Sequence, residues 1–190
     1  TTTYTWDTRG RLQSMAFPDS TSASFRYDWA GNLIEKTTAA GTESYVLDEI
    51  TNVAYQANSA GLRLSVLSGQ GIDQHLGVVK DDGSFELGLT NAINSTVATV
   101  DQTGAVRGQF YYEPFGETTV SGSTVFPFRF TGRTQATGGL YYYRARYYDS
   151  VAGRFVSEDP IGFGGGDFNL YRYVRNRPLQ FSDPTGKLFL

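Results

Sequence analysis

The sequence predicts an all-β protein: a curled or spiral antiparallel sheet of short hairpins, with little helix. Three observations predict it. Gly (22), Tyr (13) and Phe (13) stand out among the 190 residues, a mixture of turn formers and strand formers. Short apolar stretches alternate with Gly and Asp turns along most of the chain, and a 3.6-residue period is hard to find. A strand–turn–strand unit also recurs in the first third.

That unit comes first in the chain. Tyr4-Thr5-Trp6-Asp7-Thr8-Arg9-Gly10-Arg11-Leu12 returns 21 positions later as Phe25-Arg26-Tyr27-Asp28-Trp29-Ala30-Gly31-Asn32-Leu33. A worn third copy, Tyr45-Val46-Leu47-Asp48 with Asn52-Val53, follows. Phe17-Pro18-Asp19-Ser20 and Ala40-Gly41-Thr42 read as the turns between copies. In each copy the Asp can bind backbone amides inside its turn, and the Gly supplies a positive φ. Such a repeat buries its apolar face only by stacking on the next one. The unit has the pattern of the YD repeat, and the chain resembles the RHS (rearrangement hotspot) and YD-repeat family.

In the middle, Asp81-Asp82-Gly83 and Asp101-Gln102-Thr103-Gly104 are further turn candidates. Residues 91–99 are the one stretch that could form a short helix, although their β-branched side chains suit a strand better. Family members often carry a His and an Asp in the segment matching residues 90–97, and this chain has neither there.

The C-terminal part carries an ordered series of motifs. Tyr111-Tyr112-Glu113-Pro114-Phe115-Gly116-Glu117 is followed by Phe128-Arg129-Phe130-Thr131-Gly132-Arg133, then by Gly139-Leu140-Tyr141-Tyr142-Tyr143-Arg144-Ala145-Arg146-Tyr147-Tyr148-Asp149. Gly153-Arg154-Phe155, Asp159-Pro160-Ile161-Gly162, Asn169-Leu170-Tyr171-Arg172-Tyr173 and Asp183-Pro184-Thr185-Gly186 complete it. In this order the run resembles the RHS-repeat-associated core domain. The expected division is YD repeats over 1–60, continuing spiral strands over 61–110 and the core domain over 111–190. Read as one strand, residues 140–149 place Tyr141, Tyr143, Ala145 and Tyr147 on a core face. Tyr142, Arg144, Arg146 and Tyr148 then form an Arg-on-Tyr surface.

The resemblance implies a shell. In the family, YD-repeat strands wind into a hollow β-spiral that the core domain closes, and in toxin members the shell holds the C-terminal toxin segment. It also implies self-cleavage by two aspartates just after the second DPxG motif. The matching positions are Asp159 and Asp183, with Arg154 as the arginine that holds a carboxylate or steadies the oxyanion, and Arg146 as a weaker candidate. One acid activates water while the other, still protonated, donates to the carbonyl or leaving amine. Pro160, Pro184, Gly162 and Gly186 would shape the chain beside each acid. Without the family, each Asp reads as a turn cap. Self-cleaving members place Leu directly after the DPxG motif, whereas this chain has Lys187, which could block cleavage or shift it to Leu188. Gly164-Gly165-Gly166 reads as a connector, since no Lys-Ser/Thr follows it as in a phosphate loop.

Composition narrows the rest. Without Cys the chain has no disulfide, thiol nucleophile or Cys-based metal site, and the single His75 excludes a multi-His zinc site. No cofactor is expected. Sixteen basic against nineteen acidic residues, a net charge of −3, argue against nucleic acid as a partner despite the interleaved Tyr and Arg. No apolar run is long enough for a membrane helix. The leading reading is therefore a closing module of an RHS shell, possessing an aspartate-pair self-cleavage site and coming from a secreted or cell-surface bacterial protein. Its expected partners are the remainder of a longer parent chain with its toxin segment, or further copies of itself. The uncharged, β-rich stretch over residues 1–6 would offer such a copy a strand edge. Two other readings are an assembly or adhesion subunit that polymerises through that edge and a carbohydrate-binding module using exposed Tyr and Trp29.

Overall fold

Each Asp–Gly unit folds by the same local hydrogen bonds. In the computed structural model, which describes residues 1–187, Asp7 N–H donates to the Arg11 carbonyl at 2.9 Å and Gly10 N–H to the Asp7 carbonyl at 3.0 Å. The Asp7 Oδ1 accepts from the amides of Arg9 and Arg11, both at 2.9 Å. Asp28 repeats the backbone pair with Asn32 and Gly31, and Asp48 repeats it with Asn52 and Thr51. Their Oδ1 atoms take the amides of Asn32 and Asn52, each at 2.8 Å. The fourth position needs a positive φ, 73° at Gly10 and 95° at Gly31. The worn copy forces Thr51 to 67°, a strained conformation for a β-branched residue. In all three copies the strand register shifts beside the Asp, as in a turn with a β-bulge.

Chained together, these hairpins build one antiparallel sheet in strict sequence order. Its strands are β1 (Thr3–Trp6), β2 (Leu12–Ala16), β3 (Ser22–Tyr27), β4 (Leu33–Thr38), β5 (Gly41–Leu47) and β6 (Val53–Asn58). They continue as β7 (Arg63–Ser68), β8 (His75–Lys80), β9 (Phe85–Thr90), β10 (Thr96–Asp101), β11 (Val106–Tyr112) and β12 (Thr118–Gly122). A second sheet follows in the order β13 (Gln135–Thr137), β14 (Leu140–Tyr143), β15 (Arg146–Asp149) and β16 (Arg154–Phe155). Helix among the described residues is limited to short 3-10 turns at Phe130–Gly132, Gly162–Gly165 and Val174–Asn176. Residues 91–99 supply most of β10 rather than a helix.

The large sheet curls around the small one. Cross-strand pairing places Leu140, Tyr142 and Tyr147 on one face of the β14–β15 hairpin and Tyr141, Tyr143 and Tyr148 on the other. The first face packs with Leu12, Met15, Phe25, Leu33 and Tyr45 from β2 to β5. The second packs with Phe130, Phe155 and Tyr173, against Tyr112 of β11. Hydrogen bonds fasten the first face: Tyr27 Oη meets Tyr147 Oη at 3.0 Å, and Leu33 N–H donates to Tyr142 Oη at 3.0 Å.

The β14–β15 hairpin is a plug buried on both faces, which corrects the reading of residues 140–149 as one strand with an Arg-on-Tyr surface. The chain turns back at Arg144-Ala145, and Arg146 is 4% exposed.

Tyr148 is fully buried at the centre of four aromatic contacts, so Tyr148→Ala should cost about 3–5 kcal/mol in urea unfolding, as large-to-small core changes do. Trp29 is 89% exposed, and Trp29→Ala should stay within about 0.5 kcal/mol.

Candidate active site

The two DPxG motifs are built like the Asp–Gly turns of the spiral. Asp183 Oδ1 accepts from the amides of Thr185 at 3.3 Å and Lys187 at 3.1 Å, two and four positions on, and Gly186 between them has φ 70°. Asp159 Oδ1 accepts from the Ile161 amide at 3.0 Å, and Gly162 N–H donates to the Asp159 carbonyl at 2.9 Å. In both turns Oδ1 fixes the local backbone, which leaves Oδ2 aimed outward. The two Oδ2 atoms meet at one guanidinium, Arg146 Nη2, at 2.8 Å from Asp159 and 3.4 Å from Asp183. All three side chains are less than a tenth exposed.

Arg146 is itself held from four directions. Its Nε donates to the Gly186 carbonyl at 2.6 Å and its Nη1 to the Leu170 carbonyl at 2.9 Å. Its guanidinium lies over the Phe155 ring at 3.6 Å. The Gly186 turn presses on the end of the β14–β15 hairpin, where a β-carbon at Gly186 would collide with the Tyr143 carbonyl. A cleft of ≈ 30 Å³ bordered by Arg146, Asp159, Gly165, Asp183 and Lys187 has room for about one water.

A second buried ion cluster clamps the other side of the same turn. Asp73 pairs with Arg133 at 2.7 Å and Arg144 at 2.9 Å. Both arginines donate to the Pro184 carbonyl, Arg144 Nη1 at 2.6 Å. Arg144 also donates to Thr51 Oγ1 at 2.7 Å, in the third Asp–Gly turn. The spiral thus reaches the second DPxG motif through two guanidinium groups.

Comparison with known proteins places this arrangement. A family profile described as RHS Repeat matches residues 6–43, which hold the first two Asp–Gly turns. Toxin subunit YenC2 of Yersinia entomophaga is 30% identical over 210 residues, spanning 95% of this chain and 22% of its own. The tRNA nuclease WapA of Bacillus subtilis is 30% identical over 199 residues, spanning 97% of this chain and 8% of its own. The chain belongs to the RHS/YD-repeat family. A solved structure of the Photorhabdus luminescens Tc holotoxin pore superposes with a TM-score of 0.76 at 24% identity, over 97% of this chain and 10% of that one. The RHS chain therefore shares the fold of a Tc toxin component and spans less than a quarter of each of the two curated relatives just named. Those relatives are a toxin subunit and a nuclease, and they favour a shell fragment over an adhesion subunit. No helix among the described residues is long and apolar enough to cross a membrane.

The RHS fold brings Asp159 and Asp183 to one guanidinium, that of Arg146, which the sequence ranks below Arg154. Arg154 lies on β16, exposed, with its guanidinium 5.7 Å over the half-buried ring of Tyr171. The sequence reading also passed over Asp73, Arg133 and Arg144. Arg133 and Arg144 sit inside motifs that it quoted, but nothing local marks Asp73 as their partner.

His75 packs beside this clamp, stacked on Phe128 with ring centroids 3.5 Å apart. Burial first, and then the charges of Arg133 and Arg144, hold its pKa down to about 3 from 6.5. An unfolded chain would take up a proton that the folded one refuses between these values. Stability from His75 is therefore fully present above about pH 6.5 and lost as pH falls toward about 3. In urea titrations across that window, His75→Gln should flatten the fall in stability by ~1.4 kcal/mol per pH unit, one proton's worth. An unchanged slope would show that His75 titrates normally.

Proposed function

We propose that this chain is the closing, C-terminal part of a longer RHS/YD shell and that it hydrolyses the peptide bond just beyond its second DPxG motif. The observation that carries the reading is the convergence of Asp159 and Asp183, 24 positions apart, on the single buried guanidinium of Arg146. The curled sheet with its plug supports the closing role. In this reading residues 1–60 are YD repeats, 61–110 continue the spiral and 111–190 form the core domain. The partners are the rest of a secreted or cell-surface bacterial parent and the segment that follows this chain.

Hydrolysis of an amide needs one ionised carboxylate to take a proton from water and one protonated carboxyl to donate to the leaving nitrogen. Arg146 holds both Oδ2 atoms to one point and, through the Gly186 carbonyl, holds the chain as it leaves the DPTG turn.

The test is a chain extended beyond Leu190, followed by gel and mass analysis of the purified protein. A fragment should appear without added protease. Asp159→Asn and Asp183→Asn should each slow its formation by at least about 100-fold, the usual weight of a lost general acid or base. Arg154→Gln should leave it unchanged. A fragment that persists in both Asn variants would assign the break to another protease and end the proposal.

A further inference from the structure

Arginine keeps its proton in proteins, so a buried guanidinium needs a negative charge beside it. The clamp on the second DPxG turn supplies one carboxylate for two guanidinium groups. Arg133 and Arg144 share Asp73 at 2.7 Å and 2.9 Å, and none of the three side chains is more than 14% exposed. Two positive charges against one negative leave the cluster one positive charge in excess. The excess is felt at His75, whose pKa is held down to about 3 first by burial and then by Arg133 and Arg144. At neutral pH His75 therefore adds no charge of its own.

The two arginines are unequally met. Arg144 donates through Nε, Nη1 and Nη2 to Thr51, Asn52, Asp73 and Pro184. Arg133 reaches Asp73 and the Pro184 carbonyl through Nη2 alone, and its buried Nε has no hydrogen-bond partner among the described residues. An unmet buried donor on a charged group is costly. A cleft of ≈ 40 Å³ lies beside these groups, between the spiral wall and the plug. The three clamp residues and His75 border it, together with apolar Leu33, Leu47 and Phe128. A cleft of that size has room for about three waters or one small ion. A doubly charged anion would reverse the excess instead of cancelling it, and the apolar wall disfavours a strongly hydrated guest.

We propose that this cleft binds a small monovalent anion of halide size, which accepts from Arg133 and neutralises the Asp73–Arg133–Arg144 cluster. The site is independent of the self-cleavage reading. Asp73 comes from the spiral wall and both arginines from the C-terminal part, so the anion strengthens the joint between the two.

Urea unfolding at neutral pH and fixed ionic strength reads the site when sodium chloride replaces sodium gluconate, whose anion is too large for the cleft. Once chloride saturates the site, the unfolding constant should fall about tenfold for each tenfold rise in chloride, as for any ligand held only by the folded state. Arg133→Gln removes the excess charge and should abolish this dependence, whereas Arg154→Gln, at an exposed arginine elsewhere, should keep it. Crystals of the unsubstituted protein soaked in bromide give a readout that needs no variant. An anomalous peak should stand within hydrogen-bond range of the Arg133 guanidinium. Equal unfolding in chloride and gluconate, or a chloride dependence that Arg133→Gln retains, would overturn the proposal. So would the absence of a bromide peak at Arg133. A bromide peak without chloride dependence in solution would mean an adventitious ion only, and would overturn it as well. Should Arg133→Gln fail to fold, the chloride dependence and the bromide peak of the unsubstituted chain decide together, and the loss of either ends the proposal.

Discussion

The C-terminal third of this fold depends on one guanidinium. Arg146 has water access on almost none of its surface, and burying a charge so completely is costly unless its donors are all met. They are engaged by two carboxylates and two carbonyls, of which Asp183 and Gly186 share the second DPxG turn. Burial lowers the pKa of Arg146 from its usual value, and the charges of Asp159 and Asp183 oppose that shift. Removing either acid would leave a buried cation short of a partner, so the two DPxG turns and the β15 strand are positioned as a unit.

That unit is available because of how the aspartates divide their oxygens. In the spiral turns Oδ1 organises the backbone of the turn, and the same geometry in the core leaves Oδ2 for Arg146. Turn capping and acid pairing are therefore not rival explanations for these residues; one prepares the other. The curl of the large sheet does the rest. It buries both faces of the β14–β15 hairpin and through Asp73 and Arg144 ties the second DPxG turn to the wall of the spiral.

What the sequence shows follows from the range of the interactions. The Asp-to-Gly turns were legible because their hydrogen bonds span two to four positions, and the all-β sheet follows from repeating them. Asp159 and Asp183 were legible because each carries its own turn motif. Arg146 was ranked below Arg154 because the reading ran straight through residues 140–149. The reversal at Arg144 requires φ 58° at a non-glycine residue, which no local preference predicts. The Asp73 clamp was invisible for a different reason. Its partners lie 60 and 71 positions away, and a buried charge pair leaves no pattern in either segment.

The claim that one arginine couples both acids is tested most directly by a double-mutant cycle on stability. Unfolding free energies are measured in urea at neutral pH for the unsubstituted chain, Asp159→Asn, Asp183→Asn and the double variant. Sites sharing a partner show coupling of about 0.5–3 kcal/mol, whereas independent sites add to within about 0.5 kcal/mol. The shared guanidinium predicts a coupling of at least about 1 kcal/mol, removed when the cycle is repeated in Arg146→Met. Additive losses with Arg146 in place would contradict the account.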